Sequence, residues 1–215
     1  MDIKKTAILI IVASAALISC SKTADHQPKN EDSKAVHAKQ ILEDITRFEN
    51  AYNAADVNAI SNELSAALKK PIASDIALPN KALKIASRVR AIEKTLGKFK
   101  PETPEVMNIH LNALESLNKI AIIHDRLAGL LASMNSDLAQ ANSILLLDKD
   151  EIRNHRNQLI NIRHDLSRLE TDLHNNMEDL KSATIVFDAT FSQIAYLAKQ
   201  QQQNISDAEL PANND

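Results

Sequence analysis

Seven histidines and one cysteine are the side chains of this 215-residue chain best suited to bind a metal or act as a nucleophile. His124 and His155 fall on the apolar seams of two long helical segments. With a turn near 147–149, an antiparallel pairing sets His124 opposite position ~173, next to His174. Zinc takes three or four ligands, so one histidine pair with no carboxylate on its seam makes His124 and His174 weak metal candidates. The competing reading makes the seam histidines polar residues that fix coiled-coil register, or half-exposed residues at its edge. No two histidines stand at i, i+4 spacing, and H-E-x-x-H, G-x-S-x-G, C-x-x-C and glycine-rich phosphate loops are all missing from the sequence. Carboxylates are frequent but alternate with Lys and Arg, as in "RLETDLHNNMEDL" (168–180), which reads as a solvated face with local ion pairs. The sequence therefore assigns no catalytic residue, no metal site and no cofactor, and a non-enzymatic role is expected.

Cations form a second kind of chemistry. Lys81, Lys84, Arg88, Arg90, Lys94, Lys98 and Lys100 stand against Glu93 alone on a segment with a clean apolar side. Such a helix can lie in a membrane interface with its cations on headgroups. It can also be a patch for an anionic partner, such as a cell-wall polymer, lipopolysaccharide or an acidic protein face. Or its apolar line packs on the rest of the protein and its cations neutralise acids there, which is the plainest reading. Arg153, Arg156 and Arg163 make a smaller cluster flanked by Asp150, Glu151 and Asp165, which reads as a polar helix face.

The single cysteine, Cys20, ends the phrase "LISC" (Leu17-Ile18-Ser19-Cys20). Lys4 and Lys5 precede an uncharged apolar run from Ala7 to Ile18. A bilayer-spanning helix needs ~20 apolar residues and an export signal ~7–15, so the run fits a signal. "ASA" (13–15) has the form of an ordinary cleavage site, but cutting there leaves a very short apolar region and a free thiol. "LISC" resembles the lipobox of bacterial lipoproteins. The resemblance covers residues 1–20 only. It implies a diacylglyceryl group on the Cys20 thiol, cleavage between Ser19 and Cys20, and acylation of the new amino terminus. One acyl chain anchors reversibly and two or more anchor firmly, so the membrane would be a partner through lipid alone. Lipoproteins with Asp after the cysteine stay at the inner membrane; Ser21 here implies the outer membrane if the cell is Gram-negative, within the bacterial cell envelope.

Helices must position everything else. Residues 1–19 are expected to be a lipoprotein signal peptide and 20–32, with Pro28, a lipidated tether. The helical ectodomain spans 33–203. Its first helix carries Ala38, Ile41, Ile45, Phe48, Tyr52 and Ala55 at 3-4 spacing, and the phase then jumps to Val57, Ile60 and Leu64. "NAAD" (53–56) is either a break or a stagger. Pro71–Pro79 reads as a connector and Asn80 as the cap of the basic helix, whose apolar line is Ile85, Val89, Ile92, Leu96 and Phe99. Thr103 and Pro104 suit the cap and first position of a long helix. Its seam runs Ala113, Leu117, Ile120, His124, Leu127, Leu131, Met134, Leu138, Ala141, Leu145, a sustained heptad pattern. "LDKDE" (147–151) is the expected turn, with Asp148 or Asp150 capping. The last helix repeats the pattern from Ile152 through Leu166 and Leu180 to Leu197. Residues 204–215 are expected to be a disordered tail.

The fold class is therefore all-α: an elongated helical bundle built on a long antiparallel coiled-coil-like hairpin. Two glycines, no tryptophan and 3% aromatics leave little for sharp turns and aromatic-walled ligand pockets. A net charge of −3, one unit more negative after loss of residues 1–19, excludes a nucleic-acid partner. The expected role is a binding or scaffold protein of the envelope, with another envelope protein as partner. A seam this long can also pair between copies of the chain.

Overall fold

The computed structural model describes residues 31–67 and 78–209. The signal peptide and Cys20, most of the tether, most of the Pro71–Pro79 connector and the end of the tail lie outside them. Six helices follow in order: α1 Glu31–Ala54, α2 Val57–Ala67, α3 Leu78–Leu96, α4 Pro104–Leu145, α5 Lys149–Asn154 and α6 Arg156–Glu209. Among the described residues there is no strand, so the fold is all-α. No helix among them is long and apolar enough to cross a membrane.

Two helices set the length. At 1.5 Å per residue, the 42 residues of α4 span ~63 Å and the 54 of α6 ~80 Å. They run antiparallel, and their spacing of apolar residues puts one continuous stripe of each at the contact. Around the first half of α4 the pair becomes a bundle: α3 folds back on α4 through the short Gly97–Thr103 connection, and α1 packs along α6. The apolar lines expected for these helices are buried there, including Ile41, Phe48 and Tyr52 of α1, Val57, Ile60 and Leu64 of α2, and Val89 and Leu96 of α3, with Ala55 and Phe99 half-buried at their ends.

Local chemistry fixes the joints. Asp56 takes φ 56°, the left-handed region that Asp tolerates better than most residues, and this breaks α1 from α2. Asp44, buried on α1, accepts three hydrogen bonds at 2.8 Å on Oδ2, from the Glu102 and Thr103 amides and the Thr103 hydroxyl. Thr103 thus occupies the cap position of α4, but its hydroxyl serves Asp44 rather than its own helix. Asn80 lies inside the first turn of α3, which already begins at Leu78. Asp148 caps α5 by accepting from the Asp150 and Glu151 amides at 3.0 and 2.9 Å.

Besides the Asn80 cap, two expectations need correction. The final helix does not start directly after the turn: the chain breaks at His155, whose ring Nδ1 pairs with Gln158 Oε1 at 2.9 Å, giving the short α5 and then α6. The polar tail does not begin at 204 either. Helix α6 continues through Asn204–Glu209. Tyr52 meets Phe191 edge-on at 6.0 Å, and that antiparallel register sets Ile45, Leu42 and Ala38 of α1 beside Ala198, Gln201 and Ile205. Gln201 is buried and Ile205 half-buried, so α1 supplies the packing that keeps this polar stretch helical.

Candidate functional site

Aromatic rings gather at the bundled end. Phe48 stacks on Tyr52 at 3.9 Å, and Phe99, Phe187, Phe191 and the His110 imidazole complete the cluster edge-on. The Tyr52 hydroxyl lies 3.1 Å from His110 Nδ1. Burial pushes the Tyr52 pKa up, so the hydroxyl keeps its proton and donates. Burial first, and the Lys100 charge second, hold His110 below the usual histidine range, while a hydrogen bond to the Leu96 carbonyl opposes them. The result is a neutral, satisfied core histidine.

His124 differs. It is buried in α4 with both ring nitrogens unpartnered, and desolvation lowers its pKa from 6.5 to about 4 despite the nearby Asp125 carboxylate. Its expected neighbour is elsewhere. Ala141 lines one groove with Ile162 and Leu166, and Ile123 lines another with Asp179 and Ala183. That register sets His124 level with Leu180, roughly 9 Å along the axis from His174. The shift follows from α5: the turn occupies 146–155 rather than 147–149. His174 is exposed. No group of three or more His, Cys, Asp or Glu side chains among the described residues is placed to hold a metal ion.

The basic segment 81–100 is partly used up inside the fold. Its apolar line is buried against the bundle. Arg88 pairs with Glu63 of α2, and Arg90 makes a two-point pair with Asp125 of α4. The Asp125 pairing holds that carboxyl below its usual range. Two cations of the patch are thus used to tie α3 to its neighbours. Lys81, Lys84 and Lys94 are exposed on α3, and Lys98 follows its end.

A different cluster stands unspent. The break at His155 sets α5 at the start of α6 as an elbow, and its open hollow of about 390 Å³ is lined by Lys149, Ile152 and Arg153 from α5 and Arg156, Leu159, Ile160 and Arg163 from α6. No carboxylate lines it. None of these four cations forms an ion pair among the described residues. Beside it, the turn exposes Leu145, Leu146 and Leu147, with Leu146 at 87%. These residues follow helical 3-4 spacing, so the polar face expected at 153–164 already places Arg153, Arg156 and Arg163 side by side, and the structure adds Lys149 and the apolar floor. The signal that points to the elbow is Asp148 with acids following it, a helix start only seven residues before the histidine that ends it.

A third surface is an open groove of about 420 Å³ between α4 and α6, with Ile122, Ile123, Ala183 and Val186 as its floor and Lys119, Arg126 and Asp179 at its rims. Compared with known proteins, the chain matches no family model, no curated sequence and no solved structure. The surfaces themselves therefore carry the functional argument.

Proposed function

We propose that this chain is a lipid-anchored, non-enzymatic binding or scaffold protein of the bacterial cell envelope. The lipobox-like "LISC" supports the anchor, with Cys20 as the lipidated residue and Ser21 favouring the outer membrane of a Gram-negative cell. The observation that carries the scaffold role is the placement of the two ends. His37 lies 3.2 Å from Glu105 and Asp44 binds Thr103, so the chain enters the bundle beside the start of α4. The α4–α6 turn lies a further ~60 Å along α4, at the opposite end. An anchor ahead of residue 31 and a projecting tip of exposed leucines and unpaired cations suit a spacer that presents a contact surface away from its attachment.

The readings through the basic segment 81–100 and through a metal have less support. Arg88 and Arg90 are engaged inside the fold, and His124 and His174 sit apart. The test is Cys20→Ala in the full chain. Palmitate labelling disappears and the protein leaves the membrane fraction; retained labelling with intact anchoring contradicts the proposal.

A further inference from the structure

We infer that the elbow between α5 and α6 docks an acidic, amphipathic helical segment of another envelope protein. The inference rests on the scaffold reading above and names the contact it uses. Three features define the occupant. Lys149, Arg153, Arg156 and Arg163 surround the hollow with no carboxylate in its lining, so the occupant is anionic. Ile152, Leu159 and Ile160 form its floor, so the occupant brings apolar side chains as well. The hollow is shallow and open and lies ~60 Å along α4 from where the chain enters the bundle, so the occupant is a partner that reaches the tip. The bilayer of the proposed anchor lies at the other end of the hairpin, and a free phosphate would leave the apolar floor in water. An acidic segment with one apolar face meets all three conditions, in the manner of a helix laid into a groove.

The fold's own acids do not neutralise the site. Asp148 is occupied by the Asp150 and Glu151 amides, and Asp165 pairs with Arg168. Asp150 and Glu151 occupy the first turn of α5 outside the lining. By contrast, Arg47, Arg88 and Arg90 elsewhere in the molecule each have a carboxylate partner. Cations left unpaired around an apolar floor steer an anionic partner at long range and select it at contact, and both effects weaken with salt.

The experiment places a photoreactive amino acid at Ile160 of the full chain in its own cells and identifies the crosslinked peptide by mass spectrometry. The expected adduct is a segment of another protein rich in Asp and Glu alternating with apolar residues. Arg153→Glu with Arg156→Glu lowers its yield about tenfold or more, and Arg153→Lys with Arg156→Lys largely preserves it. Unchanged thermal unfolding of both double variants shows that the exposed tip still folds. An adduct insensitive to charge reversal, an adduct with lipid or with a second copy of the chain, or no adduct overturns the inference. A second probe at Val186, in the α4–α6 groove, separates the two claims. Crosslinks to a partner there and none at Ile160 sink the elbow and leave the scaffold role standing; none at either position counts against both.

Discussion

The two halves of the α4–α6 hairpin share one sequence pattern and have different physical lives. In the bundled half, Ala113, Leu117, Ile120 and Leu127 are no more than 4% exposed. In the projecting half, Leu138 and Leu145 hold equivalent seam positions and are 37% and 58% exposed. The spacing selects which face of a helix turns inward, but the number of helices around that face decides how much water it loses. Among the described residues, α1, α3 and α6 pack on the first half, and α6 with the short α5 at its end covers the second. The cations follow the same division. Arg88 and Arg90 of α3 lie within reach of α2 and α4 and find carboxylates there; among the described residues, those of α5 and the start of α6 have no such partner.

The sharpest break in that comparison is Phe187→Ala. Phe187 is fully buried in the aromatic cluster, and truncation should cost about 3–5 kcal/mol in urea unfolding. Next comes Asp44→Ala. It strands two amides and a hydroxyl at the α3–α4 connection, and about 2–3 kcal/mol should be lost in the same measurement.

Acid should act on the bundled half as well. His124 titrates at about 4 in the folded protein against 6.5 ordinarily. The unfolded chain therefore binds its proton first. The stabilisation is complete above pH ~6.5 and is lost as the pH falls toward 4, amounting to about 2 kcal/mol by pH 5. His110, also lowered, works in the same direction. His124→Leu should flatten the pH dependence of unfolding between 7 and 5; an unchanged slope would mean that His124 is not the neutral buried group described. The smallest effect belongs to the projecting half. Leu138→Ala should cost only about 1 kcal/mol, because more than a third of the residue is already in water and the site can relax. A loss as large as that of Phe187→Ala would show a further helix or partner covering the tip.

Much of this was legible from spacing alone. The 3-4 apolar lines of α1, α3, α4 and α6 gave the buried faces, because a helix has one period and this composition offers no competing strand signal. The break at Asp56 was half legible: the phase jump marked it, but a left-handed Asp has no sequence signature. The elbow was half legible: Asp148 marked a helix start, but residues 146–155 contain neither Gly nor Pro and the heptad spacing runs through His155 uninterrupted. One misplaced turn then misplaced the register, and His124 was paired with the wrong level of α6. The helical end of α6 was hidden by its glutamines. Their faces looked solvated until α1 supplied a partner for Gln201 and Ile205.

A lipid anchor at Cys20 requires the mature chain to begin there. Intact-mass measurement of the protein extracted from membranes reads it directly. The predicted species starts at Cys20 and carries the added mass of a diacylglyceryl group, with or without a further acyl chain on its amino terminus. A chain that retains residues 1–19, or one that starts after Ala15 with an unmodified thiol, would contradict it.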